Sequence, residues 1–409
     1  SYDRAIIIKA DYELYMLRGN TLHGVKRFNE ALASYDEAIK LKPNSFEAHS
    51  DKGLALVELK DIKAAIISYD KAIQINSKFI VAKYNKGLAL RLLGMNKESI
   101  KIFKEIIKIE PDHHQSLYEM SLIYRGLKEF DLALACCKKI LKNNRNHSRA
   151  ILLSIKLRKV ICDWANHEKD ESYALKKINQ GEDSIGPFSS LVFFNEPALQ
   201  KKTAEDFASR YFPPNNLFKQ ISKYKKHEKI RIAYFSPDFY KHPVANLIVE
   251  LIEKHDKSKF EIYGFSLIDW PDDEINIRLK KAFTKFIDLG RESSENIVKL
   301  AREMEIDIAI DLAIYSGGKP TTDIFAMRTA PIQINYLGFP GTSGAAYFDY
   351  IIADPILIPN QYKQYYSEKI IYLPSFQAND SKRSFPSNLF SRQELKLPKT
   401  GFVFCCFNN

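Results

Sequence analysis

Cysteine is scarce in this 409-residue chain, and no two cysteines stand at metal-binding or redox spacing. The five are Cys136, Cys137, Cys162, Cys405 and Cys406. Two adjacent pairs among them do not readily bridge, and no C-x-x-C occurs, so neither a zinc site nor a dithiol redox centre is expected. A reducing, cytoplasmic compartment fits this usage. Nowhere is there a run of about 18 uncharged apolar residues, and the opening "SYDRAIIIKADYELY" carries acidic groups; neither a membrane span nor a signal peptide is expected. The G-x-x-x-x-G-K-[ST] spacing of nucleoside triphosphatases is also missing. The chain starts without Met and stops at "FVFCCFNN", inside what reads as a strand and its turn, so a fragment at both ends is expected.

What is present describes an ordinary globular protein, at 45% hydrophobic and 27% charged residues. Its length calls for two or three domains. The net charge of +11 would attract phosphate if it were clustered. The lysines are instead spread over helix faces such as "KKINQ" and "KYKKHEK" with little aromatic interleaving. They read as a solvated basic surface, and no nucleic-acid partner is expected.

The first half repeats. Gly19, Gly53 and Gly87 stand 34 residues apart, with Ser121 one period later. Ala31, Ala65, Ser99 and Ala133 keep the same step, as do Tyr35, Tyr69, Phe103 and Cys137, and a further register runs through Ala38, Ala72, Ile106 and Ile140. Small residues where two helices cross, opposite an aromatic on the second helix, form the tetratricopeptide pattern. Such helix pairs stack into a superhelix with a concave groove that holds a peptide or partner. Pro43 and Pro111 end second helices. Nearly all these residues are core.

After about His147 the period is lost. Residues 147–227 read as a helical connector with a Gly, Pro and Ser-rich loop, and from Lys229 strands alternate with helices. "KIRIAYFS", "FEIYGFSL", "KFIDL", "IDIAIDLA", "IQINYLG" and "YIIADPILI" are the strand candidates. This alternation predicts a parallel sheet covered on both faces, with ligands at the carboxyl ends of the strands.

Two loops lie at such ends. "SPDFYKHP", Ser236 to Pro243, joins a strand to a helix that opens on proline, where free backbone N–H groups favour an anion. His242 there could exchange a proton or donate a hydrogen bond, or it could simply cap the helix. Asp238 could orient it or cap the loop. In "NYLGFPGTSG", Asn335 to Gly344, the glycines let backbone approach a phosphate or sugar, though such loops are often mere turns. "DWPDDE" at 269–274 has no His or Cys partner and reads as a solvated loop opening a helix rather than a metal site.

Taken in order, the repeats, "CDW" at 162–164, "SPDFYKHP", "APIQINYLGFPGTSG" and "DYIIADPILIP...YYSEKIIYLP" resemble the O-linked N-acetylglucosaminyltransferase family with its SPINDLY-like branch. The resemblance covers essentially the whole chain. It implies an α plus α/β architecture: a tetratricopeptide superhelix over 1–146, the connector over 147–227, and over 228–409 the first Rossmann-like lobe of a B-type glycosyltransferase, without its nucleotide-binding lobe. It further implies an inverting, metal-independent, intracellular enzyme with no cofactor, which moves a sugar from a nucleotide sugar, by expectation UDP-N-acetylglucosamine, to Ser or Thr of proteins held by the repeats. Neither nucleic acid nor membrane is implied as a partner.

By the same resemblance Asp238 and His242 are the catalytic candidates. Leu337, Gly338, Pro340, Gly341 and Thr342 form the loop against the sugar, and Lys319 is the nearest substitute for the arginine that some members carry in "DLAIYSGGKPTTDIF". Other departures are Ser189 in place of a histidine and Val244 in place of a threonine, and the groove-asparagine positions appear here as Leu17, Asp51, Asn85 and Glu119, of which only Asn85 keeps the amide. With only one lobe, the fragment alone is expected to be inactive. Two other readings stand beside the enzyme: an interaction scaffold that has lost catalysis, and a sugar- or nucleotide-binding module.

Overall fold

The structure, a computed structural model, describes residues 3, 6, 10–180, 185–219, 221, 223–225, 227–269, 272–316, 321–382 and 390–403. It divides into two compact units, Ser1–Ser184 and Ile185–Asn409. The expected connector spans that division.

Unit one stacks helix pairs: α1 (Tyr12–Gly24) with α2 (Phe28–Leu41), α3 (Phe46–Glu58) with α4 (Ile62–Ile75), α5 (Ile80–Leu92) with α6 (Asn96–Ile109), and α7 (His114–Gly126) with α8 (Phe130–Asn143). The glycine column exists because a ring fills its place. A Cβ on Gly19 or Gly53 would stand 2.5 Å from a ring carbon of Tyr35 or Tyr69, and one on Gly87 2.6 Å from Phe103. In the fourth pair both positions change together, to Ser121 and the smaller Cys137, and the Ser121 hydroxyl donates to the Tyr118 carbonyl at 2.5 Å. Burial pushes the Cys137 thiol up to about 11, which leaves it a packing group rather than a nucleophile. Ser99, buried in the small-residue column, donates its hydroxyl to the Gly87 carbonyl at 2.7 Å.

The backbone keeps the period longer than the side chains do. Residues 11, 45, 79, 113 and 147 each precede the first helix of a pair. Lys26, Lys60, Gly94, Lys128 and Cys162 all take left-handed backbone angles, φ 62, 66, 73, 61 and 59°, between paired helices. Both columns continue into α9 (Ser148–Val160), whose Leu153 and Leu157 join the apolar cluster of Phe103, Met120 and Ala133. The side-chain pattern hides this fifth first-helix because Ile155 stands where a glycine or serine stood before. A bidentate pair, Arg158 Nη2 to Asp170 Oδ1 at 2.5 Å and Nε to Oδ2 at 3.1 Å, ties α9 to α10 (His167–Asn179).

Unit two opens with α11 (Pro187–Phe193) and α12 (Pro197–Tyr211), each with proline in its first turn, where no N–H is needed. Then follow β1 (Ile230–Ser236), α13 (Pro243–Glu253), β2 (Phe260–Ser266), α14 (Glu274–Ala282), β3 (Lys285–Asp288), α15 (Ser294–Glu303), β4 (Ile308–Asp311), α16 (Thr322–Ala326), β5 (Ile332–Asn335), β6 (Tyr350–Ala353) and β7 (Lys369–Tyr372). Among the described residues these strands form one parallel sheet in the order β3-β2-β1-β4-β5-β6-β7. One face packs Phe235, Phe265, Val298 and Phe325, the other Tyr234, Ile248, Val249 and Leu279, as a parallel sheet buried on both sides requires.

Two details differ from expectation. β6 stops at Ala353, where Asp354 turns the chain by accepting from the N–H groups of Ile356 and Leu357, at 2.9 and 2.7 Å. β7 was not foreseen as a strand. The order of the sheet reverses between β1 and β4, and the chain ends of those strands mark the crevice where such sheets bind ligands.

Candidate active site

Three segments leave the carboxyl ends of neighbouring strands: 237–242 after β1, 312–316 after β4 and 336–344 after β5. Phe239 and Val244, Leu312, and Tyr336 and Leu337 come from these loops and their helix into one apolar cluster.

His242 is the N-cap of α13. Its Nδ1 accepts from the Val244 N–H at 3.3 Å and lies 3.8 Å from Asp238 Oδ2. A neutral ring has one acceptor nitrogen, so while Nδ1 caps the helix the proton sits on Nε2, which then donates. Turning Nδ1–H toward Asp238 gives the opposite tautomer. Asp238 is buried, and burial raises its carboxyl above the usual range, with His242 opposing. Asn276 Nδ2 donates to the Phe239 carbonyl at 2.7 Å, and the Lys241 N–H donates to Asp273 Oδ2 at 2.5 Å, fastening this loop to α14. Asp273 also caps α14 through its other oxygen, at 2.8 Å from the Asn276 N–H. The acidic stretch therefore opens a helix, as read from the sequence, and in addition braces the histidine loop. Val244 is buried in the apolar cluster, and Ser189 is half-buried on α11. Lys319 lies outside the described residues.

The glycine loop is held from beneath. Leu337 is left-handed at φ 71°, and Ile314, in the neighbouring β4 loop, at φ 46°. A bulky or β-branched side chain rarely takes such angles, and they gather where a fold trades stability for function. Gly338 has no room for a side chain: a Cβ would stand 2.0 Å from the Leu312 carbonyl oxygen. The Pro340 carbonyl accepts from the Tyr366 hydroxyl at 3.3 Å, and the Gly341 carbonyl from Asn335 Nδ2 at 3.1 Å. Asn335 Oδ1 is buried without a hydrogen-bond partner. Thr342 is fully engaged, since its hydroxyl donates to Glu368 Oε2 at 2.7 Å and accepts from the N–H groups of Ser367 and Gly344, at 3.0 and 3.2 Å. Its geometry is that of a brace. A cavity of about 160 Å³ lies beside Gly341 and Thr342, walled by Ser190, Leu191, Lys201 and Tyr366; neither His242 nor Asp238 lines it.

Sequence reading missed Asp311 and Glu368, and named Asn335 only as the start of the glycine loop. Asp311 is fully buried at the end of β4, where burial pushes its carboxyl up to about 6. A carboxylate ending an otherwise apolar strand run was the available signal. Glu368 had none, because β6 and β7 must pair before it can reach Thr342. Among the described residues no group of three or more His, Cys, Asp or Glu is arranged to hold a metal ion, and no helix is long and apolar enough to cross a membrane.

The sequence profile of glycosyl transferase family 41 matches residues 161–389. The chain belongs to this family. Profiles described as the N-terminal tetratricopeptide region of Psidin and as a tetratricopeptide repeat match 54–154 and 19–60. Among relatives, the probable UDP-N-acetylglucosamine–peptide N-acetylglucosaminyltransferase SEC of Arabidopsis thaliana is 31% identical over 269 residues, 61% of this chain and 27% of that protein. The corresponding enzyme of Caenorhabditis elegans is 28% identical over 236 residues, 53% of this chain and 20% of that protein. The chain thus spans about a quarter of the length of these relatives. A solved O-GlcNAc transferase mutant from Thermobaculum terrenum aligns over 90% of this chain and 58% of its own at 18% identity, with a TM-score of 0.40. Within the family-matched segment lie both loops of the site.

Proposed function

We propose that the protein is a protein O-glycosyltransferase that transfers N-acetylglucosamine from UDP-N-acetylglucosamine to Ser or Thr hydroxyls of intracellular proteins. The observation that carries this reading is His242, capping a helix beside buried Asp238 at the reversal point of the sheet, next to a glycine loop held in strained backbone. The donor is the one for which these family relatives are named. In this reading 1–146 present acceptors in the groove, 147–227 join them to the lobe, and 228–409 carry the sugar side of the cleft.

The acceptor oxygen attacks the anomeric carbon from the face opposite the diphosphate. The C–O bond to phosphate breaks as the new one forms, UDP departs with the bonding pair, and the hydroxyl proton leaves to a base or to the departing phosphate. The positive end of the α13 dipole favours the anionic donor. His242, with Nδ1 engaged by Val244, donates from Nε2 to a donor oxygen. The backbone of Leu337 and Gly338 lines the sugar, Pro340, Gly341 and Thr342 support that edge, and Lys319 supplies a positive charge to the diphosphate. The chemistry needs no metal.

The test is transfer of radiolabelled sugar from a panel of nucleotide sugars to a lysate by the full-length protein. His242→Asn keeps a good helix cap while removing the ring. Incorporation from UDP-N-acetylglucosamine that falls at least about 100-fold in the variant supports the proposal. A folded full-length protein that transfers from no donor moves the reading to an interaction scaffold.

A further inference from the structure

We infer that Asp311 is a positioning residue: it clamps the strained turn after β4, and that turn sets where the glycine loop lies against the sugar. The inference rests on the proposed transferase reading for its kinetic consequence, but not for its geometry.

The clamp is built from three bonds to one buried side chain. Asp311 Oδ1 accepts from the N–H groups of Ala313 and Ile314, at 2.9 and 3.0 Å, and Oδ2 accepts from the Thr321 hydroxyl at 2.5 Å. A β-branched residue at φ 46° persists only when its surroundings over-determine it, and two convergent N–H bonds to a single oxygen do so here. The turn in turn touches the glycine loop at three places. The Leu312 carbonyl occupies the space a side chain on Gly338 would need. The Tyr315 hydroxyl donates to the Ser343 carbonyl at 2.6 Å. The Asp311 carbonyl itself accepts from the Tyr336 N–H at 3.0 Å. Across the sheet Asp311 lies in register with Phe235, which leads into the histidine loop, and with Asn335, which leads into the glycine loop. One side chain thus underlies both.

Holding a carboxylate in this place is costly, and burial raises its protonation point to about 6, with Asp323 of α16 pushing the same way. Among the described residues, the hydroxyls of Tyr315 and Tyr347 also feel its charge. The ionised form burdens the fold but makes charge-assisted bonds to the two N–H groups, and those bonds weaken when the group protonates. Donor binding should therefore loosen as pH falls through about 6.

The variants are Asp311→Ala, Asp311→Asn and Thr321→Val in the full-length protein. The first readout is hydrogen exchange of the backbone amides at 312–316 and 336–343, which needs no turnover. Asp311→Ala should speed exchange there by about tenfold or more while the amides of β2 and α13 keep theirs. The second is kinetics with UDP-N-acetylglucosamine. Asp311→Ala should raise KM for the donor so that kcat/KM falls by about 100-fold, the order expected from a displacement near 1 Å at the reacting groups. Asp311→Asn, which can still accept both N–H bonds, should recover most of this and flatten the limb near pH 6. Thr321→Val should give an intermediate loss and keeps the question answerable if the alanine variant does not fold. Unchanged exchange at both segments, or a wild-type KM and pH profile in Asp311→Ala, overturns the inference. If the wild type transfers no sugar, the functional reading falls, and the exchange experiment still decides the clamp.

Discussion

Gly338→Ala tests the closest contact in the site. The added carbon would begin 2.0 Å from the Leu312 carbonyl oxygen and 3.1 Å from Ser316 Oγ. Reaching even 3.0 Å requires a displacement of about 1 Å, and a close-packed interior does not absorb it locally. The Leu312 carbonyl cannot easily give, because the same residue donates its N–H to the Phe235 carbonyl at 3.0 Å. The glycine loop must move instead. Overpacking of this kind costs about 1–3 kcal/mol, and a contact with backbone belongs at the upper end. Against it stands the loss of unfolded-state freedom when Gly becomes Ala, about 0.4–1 kcal/mol in favour of the fold. Crowding wins, leaving a net loss of about 2 kcal/mol and a fall in melting temperature of roughly 4–8 °C for a unit of this size. Gly24→Ala and Gly126→Ala are the controls: nothing lies within 4 Å of a Cβ at either position, so each should be neutral or gain up to about 1 kcal/mol. Differential scanning fluorimetry of all three, with donor KM for the site variant, reads the outcome. A Gly338→Ala protein as stable as the controls, with an unchanged KM, would refute the claim that this contact sets the loop.

Two further perturbations probe the repeats. Tyr69 buries a hydroxyl with no partner, whereas Tyr35, in the same column, donates to Asn20 Oδ1 at 2.8 Å, and the next repeat carries Phe103. Urea unfolding should therefore find Tyr69→Phe neutral or stabilising by about 1 kcal/mol and Tyr35→Phe destabilising by about as much. His113 and His147 cap α7 and α9 by accepting on Nδ1, at 3.2 and 3.1 Å, and burial lowers both below the ordinary histidine value. The unfolded chain then takes up protons first as pH falls below about 6.5, so stability falls with it. Melting between pH 7.5 and 5.5 should show the loss, and His113→Asn with His147→Asn should flatten it; an equal slope in the double variant would remove the caps as its cause.

Much of this could be read from residues alone, and the exceptions share a cause. The 34-residue columns are visible because each is a side-chain size constraint, Gly19 against Tyr35 or Ser121 against Cys137. The fifth first-helix was hidden because a cap and a left-handed turn tolerate His147 and Cys162 as readily as Asp11 and Lys26. β7 escaped notice because "KIIY" is short and only half-buried. His242, Asp238 and the glycine loop were picked out from their place after strands, and the loops that bear them follow the carboxyl ends of β1 and β5 in the sheet. Glu368 was not, since its donors Thr342 and Ser343 arrive only when distant strands pair, and Asp311 was not, because its donors Ala313, Ile314 and Thr321 are local but its burial is a property of the assembled sheet.

The persistence of the backbone period into α9 bears on how the protein can be cut. A truncation at residue 146, where the side-chain pattern stops, would strip Leu153 and Leu157 from Phe103, Met120 and Ala133 and leave the end of the stack as an open apolar surface. Repeat arrays need a terminal element to stay soluble. Here α9, fastened by Arg158 to Asp170 on α10, serves as that lid, so a well-behaved isolated array should run at least through Asn179.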